Sequence, residues 1–387
     1  MKNKPILFYS FFLSFFFCIA LSNLYCNSST SQIQDEVYLN HNDSVKYVGI
    51  ETCRSCHSSI YNSFIQTGMG QSFNIASKQK SSAKFSPHTV VFDKFSGMSY
   101  HPFFDGDTMR ILEFKLDKKD TIYKRVERID YIVGSGQHTN SHITNINGYL
   151  YQVPLTWYAQ KQQWDLPPGF ENGRNIRFNR AIGYECMSCH NALPDFEKNS
   201  INKFNTIPKG IDCERCHGPG EVHVKEKLAG KIIDTTKQID YTIVNPKKLS
   251  WERQIDVCQR CHLQGNSVLK SGKDFGDFKP GMRLSDFIEI YMPKFKDRDD
   301  EFIMASHAQR LQMSKCFLSQ KPTTINNQKF TCISCHNPHI SVKVTGKQIF
   351  NNACSNCHDV LKSCKEKLEI RNEKENNCVV KRIFLFL

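Results

Sequence analysis

The 387-residue chain lacks several features that would assign it to a common class of protein. Beyond residue 24 it has no apolar run long enough to cross a membrane. It has no arginine-rich block with interleaved aromatic residues, which is typical of proteins that bind single-stranded nucleic acid. Few cysteines are left for disulfides, because twelve of the 17 belong to one repeated motif. The sequence therefore favours neither a nucleic-acid-binding protein nor a scaffold built on disulfides.

The repeated motif is Cys-x-x-Cys-His, which is the attachment signature of haem c. Two thiols on one turn of chain can each bond a vinyl group of the same porphyrin, and the histidine that follows can then ligate the iron. The six copies are Cys53/Cys56/His57, Cys186/Cys189/His190, Cys213/Cys216/His217, Cys258/Cys261/His262, Cys332/Cys335/His336 and Cys354/Cys357/His358. They predict six covalently bound haem c groups.

Zinc ribbons and redox dithiols are the alternatives, since both use Cys-x-x-Cys. Neither requires a histidine directly after the second cysteine, so six copies with that histidine favour haem. The charge fits the same interpretation. The formal net charge is +13, and six haems bring two propionates each, or roughly −12 in total. The excess of Lys and Arg therefore needs no nucleic-acid partner.

The amino terminus predicts export. Two lysines precede an apolar run from Ile6 to Leu24, which is typical of a secretory signal, with a retained membrane anchor as the alternative. Cleavage after Ser22 is one prediction, and lipidation of Cys26 is another. We expect a periplasmic or cell-envelope location in either case.

The composition divides the chain into four zones. We predict a leader over 1–26, a polar linker over 27–46, a multihaem cytochrome domain over 47–359 and a charged tail over 360–387. Short segments of alternating apolar and polar residues predict a small β-hairpin region at about 85–160. Cys378 begins what looks like a seventh motif, but no second cysteine follows, so we hypothesise a truncated or frame-shifted carboxyl end.

The second axial ligand of each iron has to come from elsewhere in the chain. Eight histidines lie outside the motifs: His41, His88, His101, His138, His142, His223, His307 and His339. His223 and His339 follow the third and fifth motifs closely, and His138 ends a glycine-rich turn. His307 and His88 are further candidates, and Met69 is a thioether candidate that would raise the potential of its haem.

Several ordered segments resemble multihaem cytochromes of the cytochrome c-554 type. These segments are residues 47–57, the turn 134–138, residues 149–158, residues 213–220 and residues 332–339. The resembling group is related to hydroxylamine oxidoreductase and the pentahaem nitrite reductases. The resemblance implies a mainly α, loop-rich fold with its core built around stacked haems. It also implies distal ligands at His138, His223, His307 and His339, whereas many relatives have histidine at the position of Met69.

Two functions fit this sequence. The first is an electron carrier that passes electrons along the haems to a redox partner protein or a quinol-linked membrane complex. The alternative is a haem oxidoreductase that acts on a small nitrogen or sulfur compound at one haem with an open site. In pentahaem nitrite reductases a lysine replaces the motif histidine at the active haem. All six motifs keep histidine, which favours electron transfer.

Overall fold

Strands and helices occupy about equal shares of the structure, so the prediction of a mainly α fold is wrong. The structure, a computed structural model, describes residues 37–263, 266–291, 307–319 and 329–355. The predicted hairpin region is larger than 85–160, because strands run from Phe73 to Ala181. The physical reason is that each attachment motif needs only about one helical turn, whereas the alternating segments form strands of up to ten residues.

Ten of the described strands lie between the first and second motifs. They are β1 (Phe73–Ile75), β2 (Val91–Asp93), β3 (Met98–Asp105), β4 (Thr108–Asp117), β5 (Asp120–Arg128), β6 (Tyr131–Val133), β7 (Thr139–Ile146), β8 (Tyr149–Tyr158), β9 (Gln163–Asp165) and β10 (Arg180–Ala181). They form two antiparallel sheets. One has the order β1-β6-β7-β8-β10, with β9 also paired to β8, and the other has the order β2-β3-β4-β5.

The local sequence explains these strands and their turns. Along β4 every second residue is buried, including Met109 and Ile111, so one face of the strand points into the core. Between β7 and β8 the loop is Asn147-Gly148, and both residues have positive φ, 52° and 91°. Asn-Gly is the pair that a two-residue turn of this kind favours, because its twist matches the flanking strands.

The buried faces of both sheets share one core. Tyr100 and Ile111 come from the four-stranded sheet, whereas Ile132, Leu155 and Trp157 come from the six-stranded sheet, and all five are buried in one cluster. This region therefore has an apolar core made entirely of side chains.

The motif-bearing part of the chain has short helices instead. They are α1 (Ile50–Cys56), α2 (Ser58–Phe64), α3 (Tyr184–His190), α4 (Glu214–His217), α5 (Glu221–Leu228), α6 (Trp251–Gln259), α7 (His307–Met313), α8 (Lys315–Leu318) and α9 (Lys347–Ser355). Two further hairpins were not predicted: β11 (Asp195–Phe196) with β12 (Phe204–Thr206), and β13 (Asn266–Leu269) with β14 (Ile288–Tyr291). Single 3₁₀ turns cover Leu39–His41, Pro246–Lys248, Leu284–Asp286 and Cys332–Ser334.

The apolar clusters of this part are small. One contains Tyr38, Val244, Leu249 and Val257, and two others contain three buried residues each. A further cluster of six joins this part to the six-stranded sheet, because Met187 of the second motif and Phe204 pack with Phe73, Ile143, Leu150 and Ile182. Tyr38 lies within the stretch predicted as a polar linker, and its ring is buried. The predicted tail, including Cys378, lies outside the described residues. In the part of the chain that is described, no helix combines the length and the apolar character needed to span a bilayer.

Candidate haem-binding site

Four of the attachment motifs fold into the same turn. In each, the backbone N–H of the histidine donates to the carbonyl oxygen of the first cysteine, at 2.9 to 3.0 Å. These bonds join His57 to Cys53, His217 to Cys213, His262 to Cys258 and His336 to Cys332. The bond closes one helical turn, so both thiols and the imidazole project from a single turn of backbone.

The other two motifs also lie on helices. The second motif is contained in α3, which ends at His190. The sixth begins with Cys354 in α9, whereas Cys357 and His358 lie outside the described residues. None of the ten cysteines of the first five motifs forms a disulfide. In those same ranges, no three or more His, Cys, Asp or Glu side chains converge to hold a metal ion.

Three motif histidines face a second histidine. The ring centroids of His57 and His223 are 6.4 Å apart, with 21° between the ring planes. Those of His217 and His339 are 5.9 Å apart, with 7° between the planes.

The third facing pair has a different orientation. The centroids of His262 and His307 are 5.3 Å apart, and their planes are nearly perpendicular, at 88°. A metal-bound imidazole nitrogen lies about 2 Å from its metal and the ring centre about 1 Å further, so two axial rings on one metal have centroids about 6 Å apart. The first two pairs therefore have the separation that a metal ion between their rings requires, and the His262/His307 pair would have to open by less than about 1 Å.

Hydrogen bonds orient two of these histidines. The Nδ1 of His217 lies 2.8 Å from the carbonyl oxygen of Val244, so Nδ1 carries the proton and Nε2 is left as the ligand atom. The Nδ1 of His223, on α5, lies 3.1 Å from Thr242 Oγ1. Burial lowers the pKa of both His217 and His223, and a nearby positive charge on other histidines adds to this for His217. Low pKa values keep the rings neutral, as iron ligands must be.

Three other predicted ligands, His138, His88 and Met69, do not face a motif histidine among the described residues. His138 is exposed, and its Nδ1 accepts a hydrogen bond from Gln160 Nε2 at 2.8 Å. His88 is exposed in the segment before β2. The backbone carbonyl of Met69 accepts from Ile211 N at 3.2 Å, so this residue lies just ahead of the third motif. The roles of all three stay predictions.

The motifs contact one another in a definite pattern. The thiols of Cys53 and Cys213 shift each other's pKa, downwards for Cys53 and upwards for Cys213, so the first and third motifs are neighbours. Cys258 and Cys332 do the same for the fourth and fifth motifs.

The second, third and fourth motifs meet at one point. Cys189 Sγ is 3.8 Å from the carbonyl oxygen of Arg260, and Cys261 Sγ is 4.0 Å from that of Ser188. Arg215, in the third motif, donates from Nη2 to the same Ser188 carbonyl. Burial and the neighbouring Cys261 thiol raise the pKa of Cys216 to about 11. The first five motifs are therefore not a string of independent sites.

Sequence analysis missed two buried arginines at this meeting point. Arg215 and Arg260 occupy the same position in their motifs, directly before the second cysteine. Both side chains are buried. Burial lowers the pKa of Arg260 to about 10, and the positive charge of Arg215 adds to that effect. Their shared position in the motif was the signal available in the sequence.

Comparisons with known proteins agree with the motifs. The family described as "Cytochrome c554 and c-prime" matches residues 170–218, which contain the second and third motifs. The chain is similar to the multiheme cytochrome MtrA of Shewanella baltica strain OS185, with 26% identity over 186 residues. That match covers 45% of this chain and 51% of the relative, so the chain spans about half the length of the curated relative it matches.

Two solved structures are also similar over 82% of the chain. The outer cell wall cytochrome OcwA has a TM-score of 0.47 and 18% identity, with 68% of its own chain covered. An undecaheme cytochrome from the S-layer of Carboxydothermus ferrireducens has a TM-score of 0.34 and 17% identity, with 43% covered. The motifs, the family match and the curated relative together define this chain as a multihaem c-type cytochrome.

Proposed function

We propose that this chain is an exported electron carrier that binds six haem c groups, one at each motif, and passes electrons along them to a redox partner. Haem supplies one-electron iron chemistry. The residues of the chain attach each group, orient its ligands and hold neighbouring groups close together. The facing pairs His57/His223, His217/His339 and His262/His307 are the observation that carries the proposal, because iron with two axial imidazoles has no vacant position for a substrate.

The contacts between motifs support a continuous path for electrons. The first motif contacts the third through Cys53 and Cys213, and the fourth contacts the fifth through Cys258 and Cys332. The second, third and fourth meet around Ser188. Electrons that enter at the first motif would therefore reach the fifth through the third and fourth, and the second would form a side branch.

The proposal also covers the group of cytochromes to which the protein is related and its location in the cell, both of which the sequence implies. We propose kinship with hydroxylamine oxidoreductase and the pentahaem nitrite reductases, with electron transfer rather than catalysis as the activity. We propose a periplasmic or cell-envelope location, which the apolar leader Ile6–Leu24 supports. Lipidation of Cys26 stays a proposal.

Electron paramagnetic resonance of the oxidised protein, with the haem count from intact mass, tests this function. We expect six haems and low-spin signals from the irons with facing histidines. His223→Ala and His339→Ala should each convert about one low-spin haem to high-spin, because each removes one axial ligand. The matched control is His101→Ala, since His101 lies on β3 and stacks on Phe103.

Three outcomes would contradict the proposal. A mature protein without covalent haem would exclude the cytochrome function altogether. A wild-type high-spin signal of about one haem that changes when nitrite or hydroxylamine is added would instead favour the oxidoreductase alternative. Unchanged low-spin signals in both ligand variants would show that the facing histidines are not axial ligands.

A further inference from the structure

A buried carboxylate lies behind one of the facing histidines. His223 is on α5, and the loop after this helix brings Asp240 and Thr242 against its ring. The Nδ1 of His223 lies 3.1 Å from Thr242 Oγ1 and 3.6 Å from Asp240 Oδ2. Thr242 is 6% exposed and Asp240 is 8% exposed. Water therefore has little access to these contacts, and the effect of the carboxylate on the ring is weakly screened.

The hydrogen bonds of Thr242 fix which nitrogen of His223 carries a proton. The Thr242 hydroxyl donates to Asp240 Oδ1 at 2.5 Å, and the backbone N–H of Thr242 donates to the same oxygen at 3.0 Å. A hydroxyl has one hydrogen, so Thr242 Oγ1 can only accept a hydrogen bond from His223. The Nδ1 of His223 therefore carries the proton, and its Nε2 is left as the ligand atom.

The surroundings of Asp240 stabilise its negative charge. Lys227 lies one turn after His223 on α5, and its Nζ is 2.7 Å from Asp240 Oδ2. A carboxylate that is paired with an ammonium group and accepts two hydrogen bonds from Thr242 is favoured in its ionised form. The contacts that lead from the His223 ring through the Thr242 hydroxyl therefore end at a buried anion.

We propose that Thr242 and Asp240 are positioning residues for the haem at the first motif, which orient His223 as its second axial ligand and lower its midpoint potential. The proposal rests on the proposed attachment of haem at this motif and on the facing pair His57/His223. A carboxylate that attracts the Nδ1 proton through a hydroxyl makes the imidazole a stronger donor to iron. Stronger donation favours the oxidised iron, which carries one positive charge more than the reduced iron. This haem therefore releases its electron more readily.

The test is a potentiometric titration followed at the Soret and α bands, with the haem count of every variant from intact mass. Thr242→Val removes the hydroxyl but keeps the shape of the side chain, so the hydrogen-bonded connection between His223 and Asp240 is lost. We expect the midpoint potential of one haem to rise by about 59 mV, which is a tenfold change in its reduction equilibrium constant. Electron paramagnetic resonance of poised samples should show that this haem gives the low-spin signal that His223→Ala removes.

A second pair of the same kind provides the matched control. Thr236 donates from its hydroxyl and its backbone N–H to Asp234 Oδ1, at 2.6 and 3.0 Å. Both residues are exposed, and within the described chain neither hydrogen-bonds a histidine. Thr236→Val removes the same hydroxyl from the same local arrangement. We expect the potentials of this variant to equal those of the wild type.

Two conservative variants separate the proposed role from simple packing. Thr242→Ser keeps the hydroxyl and loses the methyl group, so its potentials should equal those of the wild type. Asp240→Asn keeps the shape and removes the negative charge, so it should raise the potential of the same haem as Thr242→Val does. A purely structural role of these residues would not predict this pattern.

The outcomes separate this proposal from the proposed function. If wild-type protein lacks haem, or if His223→Ala leaves every low-spin signal unchanged, the proposed axial pair fails and this proposal fails with it. If His223→Ala converts one haem but Thr242→Val titrates like Thr236→Val, the role of Thr242 and Asp240 alone is wrong. A shift in Thr242→Ser as large as that in Thr242→Val would also overturn it, because the hydroxyl would then not matter. If Thr242→Val does not fold, Asp240→Asn decides, since a raised potential supports the proposal and an unchanged one contradicts it.

Discussion

Two regions of the molecule bury apolar side chains in different ways: the strands between Phe73 and Ala181, and the motif-bearing segments. The strand region buries large side chains such as Trp157, Tyr100 and Ile111 between two sheets, in the largest buried cluster of the described chain. The motif-bearing segments have brief helices and apolar clusters of only three or four buried residues of their own, and Met187 of the second motif packs in a cluster shared with the six-stranded sheet. The difference indicates that the first region is stabilised by its side chains, whereas the second depends on porphyrin to complete its core.

Removal of the cofactor is the most direct test of this difference between the two regions. In protein made without cytochrome maturation, we expect amides of α3, α4 and α6 to lose protection from hydrogen exchange, by at least about a hundredfold. Amides of β3 and β4 should keep their protection, because their buried residues Tyr100, Met109 and Ile111 lie in a cluster of side chains without a motif residue. Hydrogen–deuterium exchange with peptide-level mass spectrometry measures both regions in one sample, and the haem-loaded protein is the control. Equal loss in both regions would show that they fold as one unit.

A large-to-small substitution in the sheet core tests the same difference in the strand region. Trp157 is 2% exposed, and Trp157→Ala should lower the free energy of unfolding of the strand region by about 3–5 kcal/mol through lost burial and a cavity. The haem count and the Soret spectrum should stay as in the wild type. Phe92→Ala is the control, since Phe92 lies on β2 of the same region and is 63% exposed, so its cost should be within about 0.5 kcal/mol. Loss of haem in Trp157→Ala would contradict the independence of the two regions.

A smaller effect concerns pH. His142 is fully buried on β7, and this burial lowers its pKa from 6.5 to about 4, while its Nδ1 bonds the Leu155 carbonyl at 3.0 Å. Between pH 6.5 and pH 4, His142 takes up a proton in the unfolded chain but not in the folded chain. The free energy of unfolding should therefore fall as the pH falls from 6.5 to 4, by roughly 1.4 kcal/mol per pH unit.

Denaturant titrations at several pH values, compared with His142→Gln, isolate the contribution of this residue. The variant should lack the part of the slope that His142 supplies, so the two proteins should differ more at neutral pH than at pH 4. Parallel pH profiles for the two proteins would show that His142 takes up a proton in the folded state as readily as in the unfolded state.

The sequence predicted the attachment motifs from their local spacing. It also named His223, His307 and His339 as ligand candidates, each of which faces a motif histidine, and their role stays a prediction. The shared turn follows from a hydrogen bond that joins residues four apart, such as Cys53 and His57. Which histidine faces which motif could not be predicted, since His57 and His223 are brought together by contacts between distant segments.

The fold class was predicted wrongly for a related reason. The resemblance drew attention to the motifs, yet the residues with most regular structure lie between them, at Met98–Tyr158. Their alternation predicted hairpins, but it could not indicate that ten strands would join into two sheets. Sheet order depends on pairings such as β1 with β6, and no local pattern encodes them.

The strand region starts and finishes at nearly the same place. Ser72, directly before β1, donates from Oγ to the carbonyl oxygen of His190 at 2.7 Å, although 118 residues separate the two. Segments whose ends meet are readily gained or removed during evolution without moving what flanks them. The distance in space between the first two attachment motifs therefore does not depend on the length of chain between them, so the strand region can change its surface without moving the second motif.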